Sequence, residues 1–530
     1  MRYPVKQIEI WVVLLALTLF SFAALAPAVP SLDEITSACM FLKPGDIPAD
    51  TFQPPAKAIY VATEADSGND NNSGLSLDAP LLHLHKAIEY ANNNAETSFT
   101  IYIRRGVHYY KDGVDYEYQR IERGNLYITA YQGEDVTIRP YYWPGNPTSS
   151  GNERVFEVYG PYENITIDGL KFEGWSAIVT AGLLDLTTPA LHNLTIKNIS
   201  ATKFTRRNGD PYSPTDFFDT AYLSEDVYGE GKQIYDNPDT AHYQIENLIL
   251  SNIYVEGVDL LTNIGDENDA NVRGLRITHF DAVNPPGQAG NSSADAFAVV
   301  NSAKILIDHC RIENINDDGV DTKGYDVAVV NCFITGTGRN AVKFWRNGEM
   351  INTILYDVTN QIDDGAIVVK NGPFRMVNSV LLRHTVGYAG VYAYDEPATT
   401  PLEIINSIFG EVKSFYVGTD NFRALHNRWF DMIEDNGVIS GNFNADTGEQ
   451  LNALPNCSGN AMSTNQFVNP AAGDFSPKSG SPWIDAGISA GVRLPSFDYR
   501  DRPRISGSGV DIGPIEYQAP PPPVCFWMLY

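Results

Sequence analysis

The chain has 530 residues, a formal net charge of −28, 43% hydrophobic residues and five cysteines. That acidity excludes a nucleic-acid binder and any bare electrostatic grip on a polyanion, which would need clustered Lys and Arg. The cysteines are too few for a disulfide scaffold and match no zinc-ligand spacing, whereas the apolar content suffices for a large core.

In chain order, Arg2 and Lys6 precede "WVVLLALTLFSFAALA", and small residues then offer a cut after Ala26 or Ala28. Residues 1–28 therefore read as a signal peptide; as a membrane anchor the apolar run would be short. The mature chain is expected to be secreted, extracellular or periplasmic, with no membrane attachment. "IYVATEADSGNDNNSGLSLDAPLLHLHKAIEYAN" (59–92) gives a strand, a polar loop and an amphipathic helix, with Leu84, Ala87, Ile88 and Ala91 at helical spacing.

From about 160 to 410 one short theme recurs, as in "NITIDGLKFEG", "NLTIKNISAT", "NLILSNIYVEG", "KILIDHCRIEN" and "LEIINSIFGE". Each copy is a β-branched run, a polar residue and a second apolar strand. Aligned on the polar residue, His309, Asn331, Asn352, Asn378 and Asn406 stand 22, 21, 26 and 28 residues apart, and Gly169, Asn198, Asn252 and His279 continue the series upstream. Short strands at periods of this size mean a solenoid whose coils share one core. An Asn at each turn can bond the Asn above and below, which explains "NIS" at 198 better than glycosylation does. Cys310 and Cys332, 22 apart, would stack in this repeat, as a bridge or as two small buried side chains.

The pattern resembles right-handed parallel β-helix proteins, so the expected fold is all-β, a right-handed parallel β-helix with an N-terminal capping helix. A single domain spans 57–517. Residues 203–243, rich in Tyr, Phe and Asp, form an insertion between coils, and 411–517 form the last coils and a closing segment. The Pro-rich tail is 518–530.

"NINDDGVDTKGYDVAVVNCFITGTGRNAVKFW" (314–345) sets Asp317, Asp318 and Asp321 within five positions. Asp295 of "SADAFAVV" lies 23 residues before Asp318, hence beside it on the neighbouring coil. Like charges this close raise a pKa or recruit a cation, and hard oxygen donors in this number suit Ca²⁺. Asp-Gly alone would supply only a turn, as "DDGAIVVKNG" at 363–372 does elsewhere, but no turn requires Asp321. Lys343 follows one coil later, on a strand where Lys is unusual. Bound Ca²⁺ and the nearby Arg339 and Arg346 would disfavour its charged form, leaving an amine able to take a proton.

The order D…DDxxD…K on successive coils resembles family 9 polysaccharide lyases, which are calcium-dependent β-helix pectate lyases. The resemblance implies that Asp295, Asp317, Asp318 and Asp321 bind Ca²⁺ and that Lys343 is the catalytic base. It implies β-elimination on an acidic, uronate-containing polysaccharide by a secreted monomer, with Arg339, Arg346 and Lys370 holding substrate carboxylates. A β-helix hydrolase of the polygalacturonase type is one alternative. It lacks the expected histidine, because "GTG" stands at 336–338. A calcium-stiffened, non-catalytic polysaccharide binder is the other.

Overall fold

The computed structural model describes residues 29–519, apart from 111–118, 141–153, 176, 183–188, 205–215, 221–242, 258–259, 265–270, 285–294, 359–364, 386, 388, 395–399, 414, 418–420, 434–442 and 446–450. The signal peptide, most of the 203–243 insertion and nearly all of the tail therefore lie outside the described residues. So does the second Asp-Asp pair at 363–364.

The chain winds as a parallel β-helix in which each strand pairs with its counterpart one coil on. One sheet runs from Ala58–Val61 through Phe99–Ile103, Leu126–Ala130, Glu163–Asp168, Leu191–Thr202, Ile245–Glu256 and Val272–Val283. A second follows the far side of the polar turn, from Lys171–Glu173 to Ile354–Tyr356, Val380–His384 and Ile408–Val412. The third joins Arg154–Tyr159, Ala177–Gly182, Asp216–Thr220, Leu260–Ile264, Phe297–Asp308, Val320–Val330, Val342–Phe344 and Gly365–Lys370.

Strand alternation sends every second residue inward, and the one-coil register sets like on like. Ile196, Leu250, Ile277, Ile307, Val329, Met350, Met376 and Ile404 form one such fully buried column. Each buried side chain of this size stabilises by roughly 1.5–3 kcal/mol, so a coil holds only when its neighbours cover it. Leu84, Ala87, Ile88 and Ala91 of the helix Leu84–Asn92 close the N-terminal end of this core as the spacing predicts.

The recurring polar position is a left-handed turn. Gly169, Asn198, Asn252, His279, His309, Asn331, Asn352, Asn378 and Asn406 all have φ between 47° and 70°, where Gly and Asn are best tolerated. Asn252 donates to Asn198 and Asn352 donates to Asn331, at 2.6 and 3.0 Å. His279 and His309 stack at 5.0 Å. Beyond Asn352 the ladder changes partner: Asn378 donates to the carbonyls of Asp511 and Gly513, and Asn406 to that of Ile488. The C-terminal segment lies along this edge, with Trp483, Ile512 and Ile515 packed on Ile354, Val380 and Ile408. A second ladder, Asn125–Asn164–Asn193–Asn247, runs along another turn. Cys310 and Cys332 are buried, free thiols.

One element was not expected from the sequence. The C-terminal halves of Phe297–Asp308 and Val320–Val330, followed by Gly348–Ile351, continue the first sheet, and the helix Leu32–Ala38, capped by Ser31 and Glu34, packs with Cys39, Leu42 and Ile47 on their Leu306, Ala328, Val330 and Ile351. That cover explains why these strands are apolar on both faces. Buried Glu349 accepts the Met40 and Phe41 amides at 2.6 and 3.2 Å and pairs with Arg375 at 3.1 Å.

Asn352 is fully buried, at φ 51°, and also donates to the Phe497 carbonyl at 3.1 Å. Asn352→Ala is expected to lower the unfolding free energy by about 3 kcal/mol, from the lost bonds and the left-handed backbone together. Asn352→Gly should recover roughly 1 kcal/mol of that. Equal urea midpoints for the two variants would contradict the turn's role.

Candidate metal centre

The third sheet carries the acidic cluster. In Val320–Val330, Val320, Thr322 and Gly324 point inward, while Asp321, Lys323 and Tyr325 face outward. The turn before the strand is tight: a Cβ on Gly319 would lie 2.6 Å from the Ala341 carbonyl oxygen and 2.9 Å from Ile334 Cγ2. The Asp-Gly pair is thus both a corner and a stacking contact, and it brings Asp318 against its neighbours.

Two carboxylates are tied down by the coil that follows. The Asp318 amide donates to Asp295 Oδ1 at 3.0 Å, and the Asn340 amide donates to Asp318 Oδ1 at 2.8 Å. Asp295, Asp318 and Asp321 each offer an oxygen within 4.8 Å of the other two. Asp321 Oδ1 is buried with no hydrogen-bond partner. The Trp345 indole N–H lies close enough to favour the Asp321 carboxylate, yet it too falls short of a hydrogen bond. Asp317 stands in the same turn outside this trio, with Arg339 Nη1 3.7 Å away.

Burial, reinforced by the charges of Asp318 and Asp321, pushes the Asp295 carboxyl up to about 8. Burial also raises Asp318 to about 7 although Lys343 opposes it, and raises Asp321 against the pull of Lys343 and Lys323. Without a cation their closeness favours proton uptake, most at Asp295; with one, the same closeness becomes coordination. An all-carboxylate donor set with an orphaned buried oxygen suits a hard divalent cation.

Lys343 is the register partner of Asp321 one coil on, 7% exposed, with Nζ 3.6 Å from Asp318 Oδ2. Its Nζ also lies 5.3 Å from the centre of a Trp345 ring. Lys323 and Lys370 reach the same indole at 5.2 and 4.4 Å, so three ammonium groups from three coils converge on it. Arg346 stacks instead over Tyr325 at 5.6 Å. A cationic spot therefore adjoins the acidic one. The sequence reading passed over Lys323, Asn340 and Trp345. Lys323 stands two residues beyond Asp321 on the same strand face, and Trp345 directly follows the strand Val342–Phe344 that carries Lys343.

No protein-family model matches the chain, and no curated protein matches it. Among solved structures, pectate lyase Pel9A aligns at 13% identity over 88% of this chain and 98% of that one, with a TM-score of 0.40. The Azotobacter vinelandii mannuronan C-5 epimerase AlgE6 A-module aligns at 12% identity over 72% and 95%, with a TM-score of 0.41. XylC in complex with xylose aligns at 9% over 87% and 98%, with a TM-score of 0.36. Overlaps this loose bear on no site or activity.

The raised carboxyls give a signed pH dependence. The folded chain keeps protons on Asp295 and Asp318 that the unfolded chain releases near the ordinary 3.8. Their contribution to stability is thus full below about pH 4 and is lost as pH rises through about 7–8. In EDTA, the melting temperature is expected to fall between pH 5 and pH 8 through this contribution. Added Ca²⁺ should restore it, with the gain vanishing towards pH 5. The Asp295→Asn, Asp318→Asn double variant should flatten both curves. A wild-type EDTA curve matching the variant's across this window would contradict the assignment.

Proposed function

We propose that the chain is a secreted polysaccharide lyase that cleaves a pectate-like, uronate-containing polymer by Ca²⁺-assisted β-elimination, as in family 9 polysaccharide lyases. The observation that carries this reading is the adjacency of two like-charged clusters: an aspartate trio, buried at Asp318 and half-buried at Asp295 and Asp321, suited to a cation, and three lysines around Trp345 suited to carboxylates. A cation together with a polyanion answers both, and it reconciles a net charge of −28 with an acidic substrate.

Asp295, Asp318 and Asp321 would hold the ion, with Asp317 at its rim. Held there, Ca²⁺ would supply the positive charge that acidifies the proton beside the sugar carboxylate. Lys343, set against Asp318 and sheltered from water, takes that C5 proton on Nζ. The electron pair forms the C4–C5 double bond, the C4–O bond breaks, and the departing oxygen takes a proton from water. Lys370 and Lys323, fixed by Trp345, and Arg346, on Tyr325, orient neighbouring carboxylates of the chain. Arg339 holds Asp317 in place and faces the same surface.

The test mixes the mature protein with polygalacturonate or alginate, in Ca²⁺ or in EDTA, and follows the ultraviolet absorbance of unsaturated uronate. Absorbance that requires Ca²⁺ and drops roughly 10²–10⁴-fold in Lys343→Ala is expected, since that is the usual worth of a positioned base. Lys323→Ala should mainly weaken substrate binding. New reducing ends without absorbance would turn the reading to a hydrolase, and neither signal on any uronan would leave a polysaccharide-binding protein.

A further inference from the structure

Register carries the column of Asp295 and Asp318 further along the axis. Phe297, Val320, Val342 and Ile367 are partners on successive coils, so Asp295, Asp318, Asn340 and Gly365, each two residues earlier, share one column. Backbone bonds ahead of the strands keep that register. The Ala296 amide donates to the Asp318 carbonyl at 3.0 Å, and the Gly319 amide to the Asn340 carbonyl at 2.9 Å. Asp295 and Asp318 are ligand candidates, and Asn340 has the same outline without the charge.

The column repeats one bond. The Asp318 amide donates to Asp295 Oδ1 and the Asn340 amide to Asp318 Oδ1, so each carboxylate is aimed by the backbone of the coil after it. Asn340 thereby grips the Asp318–Gly319 corner twice, giving its own N–H to the Asp318 side chain and taking the Gly319 N–H on its carbonyl. Its side chain is fastened one coil further on, with Nδ2 2.5 Å from the Gly365 carbonyl oxygen. Asn340 is fully buried, and its Oδ1 has no hydrogen-bond partner. A buried amide with an unanswered oxygen is destabilising, so packing alone does not explain an asparagine here.

The segment leading to Asn340 is shaped to fit the acidic turn. In "GTGRN" (336–340), the Gly338 amide donates to the Ile315 carbonyl at 2.7 Å and the Arg339 amide to the Asp317 carbonyl at 3.2 Å. A Cβ on Gly338 would overlap the Asn316 carbonyl oxygen, so the two backbones meet this closely only through glycine. We propose that Asn340 is the positioning residue for the Asp318 carboxylate, at the end of a backbone cradle formed by residues 336–340. Asn340 acts through Asp318: it ties the backbone that aims the carboxylate to the coil beyond. The consequence for Ca²⁺ rests on the calcium reading of the trio, since a ligand held in one direction beforehand loses less freedom when the ion binds.

Two measurements on the full mature chain separate this role from general stability. Hydrogen exchange of the chelator-stripped protein, followed by mass spectrometry, reads the corner with no ion present. Asn340→Ala should speed exchange across 316–322 about tenfold and leave 349–355 unchanged, whereas Asn352→Ala should do the reverse. Calorimetric Ca²⁺ affinity should fall about tenfold in Asn340→Ala, the lower end of the cost of losing a ligand's outer partner, and keep its wild-type value in Asn352→Ala. Gly338→Ala, which disturbs the cradle from its other end, should reproduce both effects and replaces Asn340→Ala if that variant does not fold. Wild-type exchange across 316–322, or an equal loss of Ca²⁺ affinity in Asn352→Ala, would overturn the proposal. A wild-type protein that takes up no Ca²⁺ would sink the calcium reading instead, and the exchange pattern would still decide the role of Asn340.

Discussion

Everything in this molecule depends on parallel register. A strand that pairs with its counterpart one coil away sets each residue beside a residue of the same role, repeated along the axis. Where the stacked residues are Ile, Val or Met, the repetition is a core. Where they are Asn in a left-handed turn, neighbouring amides bond along the stack, as Asn252 does to Asn198 and Asn352 to Asn331. The same rule turns hazardous for charge, because an Asp stacked on an Asp gathers repulsion that neither water nor an opposite side chain fully relieves.

Among the described residues, two buried charges away from the aspartates are resolved by pairing. Glu349 sits between Arg375 and two backbone amides, and Arg504 lies against Glu516 at 2.9 Å. The aspartate trio is different. Asp295 and Asp318 each spend one oxygen on holding the next coil, Lys343 stands at 3.6 Å from Asp318, and Asp321 keeps a buried oxygen with no partner. An arrangement of this kind is poorly suited to stabilising the apoprotein and well suited to a divalent cation. The neighbouring lysines repeat the pattern with the sign reversed. On this view the two clusters are halves of one binding surface, each completed by part of the same ligand.

The repeat made much of this legible in the sequence. The positions of the polar residue gave the coil length, and the coil length placed Asp295 beside Asp318 and Lys343 beside Asp321. Glycine, asparagine and histidine at the turn shared one backbone conformation, so alignment on mixed residue types was physically sound. Other features lay beyond the period. The strap over the first sheet joins residues some 300 positions apart, with no periodic signal to announce it. The handover of the asparagine ladder to the C-terminal segment likewise depends on a non-repeating chain. Trp345 reads as one more strand aromatic until the register brings Lys323 and Lys370 to it from coils on either side. Asp317 shows the reverse: adjacent in sequence to Asp318, it turns to Arg339 because neighbouring strand-end residues point apart.

The account stands on the two clusters acting as one surface, so their coupling is the quantity to measure. Calorimetric titration of a uronate oligosaccharide into the chelator-stripped protein, without and then with saturating Ca²⁺, gives it directly. The account predicts that Ca²⁺ tightens the oligosaccharide at least tenfold and that the oligosaccharide tightens Ca²⁺ by the same factor, as linkage requires. Equal oligosaccharide affinity with and without Ca²⁺ would contradict it.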